Sequence, residues 1–137
     1  MPHTPDPKAF LAAVLTEVCF GDETQHPLTP TIDRYFTPDY RQCADGVELD
    51  RASFETHIRH VRSTISSATV EIVEILKEGN RIADRHLIQA TKRDGSAIQV
   101  EVHLFGELAE DGRIRRIDEV SRLIAGTKAD AQLSHAQ

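Results

Sequence analysis

The sequence predicts an α+β domain in which a curved antiparallel sheet is wrapped on three N-terminal helices. Three observations support this prediction. Apolar residues recur at helical spacing in the first half of the chain, and the second half contains four β-rich runs. Three turns join these runs, with Asp94-Gly95 as the strongest hairpin signal. Helices gathered on one side of an antiparallel sheet make a two-layer α+β domain.

The first half of the chain predicts three helices. Pro7 suits a first helical turn, the apolar stripe runs through residues 8–20, and Gly21 ends the helix. A short helix is predicted over residues 31–36. Asp50 is a good N-cap for a third helix. The apolar positions of this third helix, spaced four, three and four residues apart, are Phe54, Ile58, Val61 and Ile65.

The second half predicts an antiparallel meander. A short strand over residues 40–43 comes before the third helix. The four later strands cover residues 68–76, 81–91, 96–108 and 113–124. Strands of this length twist and curl, so we expect a concave face that the helices cover.

Length and composition favour one globular domain. The 137 residues are 39% hydrophobic and 28% charged, which is ordinary for a globular protein. We expect a flexible arm over residues 1–7, one domain over residues 8–125, and a disordered tail over residues 126–137. The net charge of −6 with scattered basic residues argues against nucleic-acid binding. No apolar run approaches the ~20 residues of a membrane span, and no signal-peptide pattern is present, so we predict a cytoplasmic protein.

Cysteine and histidine spacing predicts neither a metal site nor a cofactor. Cys19 and Cys43 fall on different predicted elements, and neither belongs to a CxxC motif. His57 lies at the edge of the apolar stripe of the third helix, and His60 lies towards solvent. We therefore interpret both cysteines as small buried hydrophobic residues and both histidines as surface or boundary residues.

The last hairpin carries the candidate chemistry. If Leu108 lies opposite Ile114, then His103 lies opposite Glu119, and Glu101 shares their face. A histidine against a carboxylate is held in one tautomer and gains basicity, as a general base requires. The apolar residues that share this face are Phe105, Ile117 and Leu123. A slip of one residue would exchange the two faces of the sheet.

The opposite face of this hairpin is the more apolar one. Its residues include Ile98, Val100, Val102, Leu104 and Val120. If this face is the core, the His103 group points into water and the predicted site is lost. If both faces are buried, the helices cover one, and we expect a second subunit to cover the other as a homodimer.

Three further positions are candidates for ligand contact. Asp45 could be a base at a pocket mouth, although Asp-Gly is first a turn signal. The Tyr40 hydroxyl could donate a hydrogen bond to a ligand. Strand alternation places either Arg85 or His86 on the concave face of the sheet, and the pattern does not choose between them.

Three segments resemble the SnoaL-like branch of the nuclear transport factor 2-like superfamily. They are FTPDY (residues 36–40), DGVELDRASFETHIRHVR and EDGRIRRIDEV, within a resemblance that covers residues 8–124. The superfamily includes ketosteroid isomerases, polyketide cyclases and binding-only members. The resemblance implies a cystatin-like conical barrel with a deep apolar cavity and a homodimer formed through the outer face of the sheet.

The resemblance also implies roles for particular residues. Glu119 in IDEV matches the catalytic acid of the polyketide cyclases, which have Asp there. His103 in VEVHL matches their histidine, and Glu101 takes the place of a polar cavity residue. The ketosteroid-isomerase pattern fits less well, because the first helix lacks its tyrosine and only Asp45 could serve as its base.

Two functions follow as hypotheses. The first is cofactor-free acid–base catalysis, such as isomerisation, cyclisation or dehydration of a small, mostly apolar carbonyl compound in an enclosed pocket. In this hypothesis His103 and Glu119 are catalytic, and Glu101, Phe105, Ile117, Asp45 and Tyr40 contact the ligand. The second is a dimeric ligand-binding or protein-interaction module without chemistry, since the same cone hosts unrelated functions.

Overall fold

Three helices form in the regions that the sequence pattern indicated. The structure, a computed structural model, describes residues 6–126 and residue 130. The helices are α1 (Pro7–Val14), α2 (Leu28–Tyr35) and α3 (Arg51–Thr64), and a π-helical turn, Leu15–Cys19, extends α1. Asp50 caps α3 as predicted, because its carboxylate accepts a hydrogen bond from the Ser53 amide at 2.9 Å.

The strands form one six-stranded sheet. They are β1 (Phe36–Ala44), β2 (Val47–Asp50), β3 (Ile65–Glu78), β4 (Arg81–Lys92), β5 (Ala97–Leu108) and β6 (Ile114–Ala125). Their order is β2-β1-β6-β5-β4-β3, so β3 to β6 form the predicted antiparallel meander. The sheet as a whole is mixed, because β1 is longer than predicted and pairs in parallel with the outer edge of β6. This parallel pairing follows from α3, which carries the chain from the β1–β2 hairpin to the far edge of the sheet.

The α+β fold class is confirmed, and the helices cover one face of the sheet. The core lies between that inner face and the helices. Its helical side includes Val14, Val18, Ile32, Phe54, Ile58 and Val61, and its sheet side includes Ile98, Val100, Val102, Leu104 and Ile114. The β5 part of the face that the sequence marks as the more apolar one is therefore inner, as its burial requires, whereas Val120 of that predicted face is exposed.

One end of the cone is closed by aromatic and aliphatic packing. The rings of Phe36, Tyr40 and Phe54 pack with centroids 4.5 to 5.0 Å apart. On the sheet, Ile82 lies over Gly106, where a Cβ atom would come within 2.9 Å of Ile82 Cγ1. The missing side chain at Gly106 thus lets Ile82 fill this end of the cone.

The predicted arm and tail lie largely outside the described residues. Asp6 is described, and its carboxylate caps α1 by accepting from the Ala9 amide at 3.2 Å. At the other end of the chain, residue 130 is described and Asp130 is buried. Its carboxylate accepts a hydrogen bond from Lys92 Nζ at 2.7 Å.

Candidate active site

A bulge in the last hairpin decides which residues face the interior. Leu108 lies opposite Ile114 as predicted, but Glu107 pairs with Arg116, so Arg115 is an extra residue in β6. From Glu107 back to Val100, the pairing of β5 with β6 is shifted by one residue from the predicted register. The predicted pairing of His103 with Glu119 is therefore wrong: His103 lies opposite Val120, and Glu119 lies opposite Leu104.

Three of the predicted site residues lie on the outer face of the sheet. His103 is exposed, and Phe105 is 68% exposed. The Glu101 carboxylate lies between Arg122 Nη2 at 3.3 Å and Arg85 Nη1 at 3.4 Å. Partial burial raises the pKa of Glu101, but the hydrogen bonds and charges of the two arginines outweigh burial and lower it overall. These residues do not line the interior of the cone.

Tyr40 and Ile117 point into the core. The Tyr40 side chain is buried, and its hydroxyl donates to Gln42 Oε1 at 2.8 Å. Burial raises the pKa of this hydroxyl well above its usual value, and the charges of Glu119, Cys19 and Asp118 add to the effect. Tyr40 is thus a neutral hydroxyl whose hydrogen bond goes to Gln42.

Asp45 fastens the β1–β2 turn to β6 beside Glu119. Its backbone is left-handed, with φ 51°, and its amide donates to the Glu119 carbonyl at 3.0 Å. Its carboxylate accepts from the Ser121 amide at 2.7 Å and also from the Ser121 hydroxyl. This arrangement makes Asp45 a positioning group and a nearby negative charge.

His86, and not Arg85, points inward. Its side chain is 1% exposed, and that of Asp84, two residues earlier on the same face, is 0% exposed. His86 Nδ1 lies 2.9 Å from Asp84 Oδ2. An ionised Asp84 would accept a hydrogen bond from the Nδ1–H group of His86. Nε2 would then be the nitrogen that exchanges a proton with a ligand. Arg85 points outward to Glu74.

Glu119 is an inward-facing carboxyl with a strongly perturbed pKa. Burial raises its pKa from 4.5 to about 8, and the negative charges of Asp45 and Asp84 add to the effect. Asp84, Leu104 and Glu119 form one row across three strands. Strand spacing therefore puts the Cα atoms of Asp84 and Glu119 about 10 Å apart on the inner face. At neutral pH the Glu119 carboxyl is mostly protonated and can donate a proton.

An apolar slot lies on the same inner face of the sheet, next to the row that holds His86. It has a volume of ≈ 60 Å³. Its apolar lining residues are Phe20, Val61, Ile65, Ile88, Ala90, Ile98 and Val100, and Asp130 lies at its end. Ile88 and Val100 form the row next to His86 and Val102 on the sheet. The lining of the slot thus stops one row short of His86 on the inner face. We call the polar residues Asp84, His86 and Glu119 the inner acid–base cluster.

The described residues show neither a metal cluster nor a membrane span. Within residues 6–126 and residue 130, no three side chains of His, Cys, Asp or Glu are grouped as a metal site would require. In the same part of the chain, no helix is long and apolar enough to cross a membrane.

A curved sheet covered by helices, with its polar groups inside the cone, defines the nuclear transport factor 2-like class of folds. A model of the SnoaL-like domain matches residues 24–117. The chain belongs to this SnoaL-like family. It is also 33% identical over 103 residues to an uncharacterized protein of Schizosaccharomyces pombe, which covers 75% of this chain and 78% of the relative.

Solved structures share the fold at low sequence identity. AclR of Streptomyces galilaeus, a proposed hydroxylase, is 17% identical with a TM-score of 0.65, covering 84% of this chain and 87% of that one. IdmH of Streptomyces antibioticus, a proposed polyketide cyclase, is 13% identical with a TM-score of 0.65, covering 85% and 92%. A proposed isomerase of Rhodopseudomonas palustris is 11% identical with a TM-score of 0.67, covering 88% and 91%. At these identities the likeness shows the fold alone.

Proposed function

We propose that this protein binds a small, mostly apolar carbonyl compound in the cone and moves a proton on it without a cofactor. The observation that carries this proposal is the inner acid–base cluster, which lies in a mostly apolar interior. A buried histidine oriented by a carboxylate is suited to act as a base, and a protonated carboxyl is suited to act as an acid. Two such groups with different environments can divide the two roles.

The proposed chemistry is proton abstraction next to a carbonyl group. His86 Nε2 would take a proton from the carbon beside the carbonyl, and the negative charge would move to the carbonyl oxygen. The Glu119 carboxyl would donate a hydrogen bond or its proton to that oxygen. Return of a proton at another carbon completes an isomerisation. In a dehydration the proton held by His86 would go to a hydroxyl group on the next carbon, which leaves as water. In a cyclisation the enolate carbon would bond to a second carbonyl carbon, and the oxygen of that carbonyl would take the proton.

The size of the slot limits how a ligand enters. Small-molecule pockets usually enclose at least about 300 Å³, and the slot encloses ≈ 60 Å³. A ligand must therefore displace side chains around Phe20 at the mouth. The same narrowness favours the second candidate function, a binding module in which no substrate reaches His86.

Proton exchange in deuterated water tests this proposal. We expect the wild-type protein to speed deuterium incorporation beside the carbonyl of at least one member of a panel of small apolar ketones. His86→Gln should slow this exchange by about 100-fold or more, because general bases contribute 10²- to 10⁴-fold. Nuclear magnetic resonance of the ketone measures the rate. The matched variant His103→Gln, on the outer face, should keep the wild-type rate.

Two outcomes would contradict the catalytic proposal. Exchange that depends on His103 and not on His86 would move the chemistry to the outer face. Saturable binding of ketones with no deuterium incorporation would support the binding module instead.

We also propose that the outer face of the sheet pairs with a second copy of this chain. Phe105, Leu76 and Val120 are 68%, 76% and 59% exposed on this face. Both signs of charge lie among them, with Arg85 next to Glu101, so two copies related by a two-fold axis can match apolar to apolar and positive to negative. An exposed apolar patch of this kind is typical of an interface.

Phe105→Glu is expected to shift the protein from dimer to monomer. Two buried carboxylates would face each other across a two-fold axis, which disfavours association. Light scattering after size-exclusion chromatography measures the mass. Ala52→Glu, at an exposed position of α3, is the matched control and should stay dimeric. A monomeric wild-type protein would contradict the proposal.

A further inference from the structure

A second, larger cleft lies beside the mouth of the slot and carries basic groups. Its volume is ≈ 460 Å³, and the end of the π-helical turn, α3 and the start of β3 form its walls. Its polar lining residues are three arginines, three serines and two acids: Arg59, Arg62, Arg93, Ser63, Ser66, Ser67, Asp22 and Glu23. Guanidinium and hydroxyl groups together are the donors that proteins use for oxyanions.

Arg62 is the centre of this cleft and has a donor without an acceptor. Its side chain is only 10% exposed. Nε donates to the Val18 carbonyl at 2.9 Å, and Nη2 donates to the Glu17 carbonyl at 2.8 Å. Within the described residues, Nη1 is buried and has no hydrogen-bond partner. Buried polar groups are nearly always hydrogen-bonded, so an orphaned guanidinium nitrogen in a cleft indicates a missing acceptor.

Glu23 does not supply that acceptor. Its Oε2 atom lies 3.9 Å from Arg62 Nη1, and its Oε1 atom lies 3.6 Å from Arg59 Nη1. Both distances are too long for hydrogen bonds. Glu23 Oε2 instead accepts from the Leu28 amide at 2.9 Å, which holds it at the start of α2. Since the Glu23 side chain is 61% exposed, it can swing aside for another anion.

Arg93 braces the same wall. Its Nε atom donates to the Ser63 carbonyl at 2.8 Å, and its Nη2 atom donates to the Arg62 carbonyl at 3.1 Å. These bonds fix the guanidinium of Arg93 beside the end of α3. Both acceptors are backbone carbonyls, so neither bond pairs this second positive charge with a carboxylate.

The basic cleft and the apolar slot adjoin each other. Phe20 and Ile65 line both spaces. A molecule that passes Phe20 can therefore place an apolar end in the slot while a polar end stays in the cleft. We propose that the cone takes amphipathic anions, with the apolar body in the slot and a carboxylate or phosphate on Arg62 in the cleft. This inference deepens the proposed function and rests on it for the apolar end alone.

Two dyes that share one ring system test the anionic end. 8-Anilinonaphthalene-1-sulfonate carries a sulfonate, and N-phenyl-1-naphthylamine is the same amine without it. We expect the wild-type protein to bind the sulfonate dye about tenfold more tightly at low salt, because a hydrogen bond to a charged group gives at least that factor. The preference should fall as salt is added. Fluorescence titration measures both dissociation constants.

Two charge-changing variants should move this preference in opposite directions. Arg62→Gln should abolish it. Glu23→Gln should increase it about threefold or more, because the competing carboxylate is neutralised, while the amide oxygen can still accept from Leu28. Glu78→Gln and Arg41→Gln, at exposed positions away from the cleft, are the matched controls and should behave as wild type. If Arg62→Gln does not fold, Glu23→Gln alone tests the proposal, by whether it increases the preference for the sulfonate dye.

The side-chain signals of the arginines give an independent measurement. Sodium acetate alone and inorganic phosphate alone should each be titrated while the Nε–H resonances of Arg62 and Arg93 are followed. A saturable shift with one of them supports the anion site and tells carboxylate from phosphate, even if neither dye enters the slot. Equal affinity for both dyes in every variant, together with no saturable shift with either anion, would overturn the anion site. Binding of the neutral dye in that case leaves the proposed function standing.

Discussion

Glu119→Gln is expected to remove most of the pH dependence of stability between pH 4.5 and about 8. In the folded protein burial raises the pKa of Glu119 from 4.5 to about 8. Between these values the folded state holds a proton that the unfolded state releases, so the free energy of unfolding falls as pH rises. One pH unit is worth about 1.4 kcal/mol, which sets an upper limit of about 5 kcal/mol for the loss. Glutamine does not ionise, so the variant does not lose this free energy of unfolding as pH rises.

Urea unfolding of wild type and Glu119→Gln at several pH values measures this effect. We expect similar stabilities near pH 4, and above about pH 8 the variant should be the more stable protein by a few kcal/mol. Glu101→Gln is the matched control on the opposite face. The pKa of Glu101 is lowered, so its removal should have the opposite sign: it removes stability that wild type has above the unfolded pKa. Parallel pH curves for wild type and Glu119→Gln would contradict the raised pKa.

A carboxyl that titrates near neutral pH matters for the proposed chemistry. A general acid works best when its pKa lies near the working pH, since both its protonated fraction and its acidity are then useful. The proposed exchange rate should therefore fall as pH rises through about 8, as Glu119 loses its proton. A rate that rises steadily through this range would show that Glu119 does not act as the acid.

The fold class could be predicted from local patterns. The apolar stripe of α3, the N-cap at Asp50 and the turn at Asp94-Gly95 each depend on residues close in sequence. The parallel pairing of β1 with β6 could not be predicted in this way. It joins segments more than seventy residues apart. It also depends on the edge of the sheet to which α3 returns the chain.

The inner acid–base cluster was harder to predict because one bulge in β6 exchanges the faces of that strand relative to β5. The pairing of Leu108 with Ile114 was predicted correctly, yet the extra residue Arg115 puts Glu119 on the inner face, away from His103 on the outer face. No residue type at position 115 signals a bulge. Alternation along β4 did show that Arg85 and His86 lie on opposite faces. What it could not show was which face is inside, because that depends on the three-dimensional position of the helices.

Asp84→Ala is expected to destabilise the protein by about 1–3 kcal/mol, the usual effect of leaving a buried hydrogen-bond donor without its acceptor. The Asp84 and His86 side chains are 0% and 1% exposed, and 2.9 Å separates Asp84 Oδ2 from His86 Nδ1. Without Asp84 the ring loses its acceptor in a place that water does not reach. Urea unfolding measures the loss of stability.

A matched surface pair separates burial from simple loss of charge. Asp118 accepts a hydrogen bond from Arg116 at 3.1 Å, also two residues away on one strand, but both side chains are about half exposed. Asp118→Ala should therefore change the free energy of unfolding by less than about 1 kcal/mol. Equal losses for the two aspartates would show that the burial of Asp84 contributes nothing.

Replacing both members of the buried pair distinguishes a structural role from a catalytic one. Asp84→Leu with His86→Leu leaves no orphaned polar group, so it should recover most of the stability that Asp84→Ala loses. If the pair served only the fold, this stable double variant would match wild type in every respect. We expect it instead to fold well and to lose the deuterium exchange assigned to His86, because an apolar pair packs the cone but cannot take a proton. Exchange that persists in the double variant would place the base elsewhere.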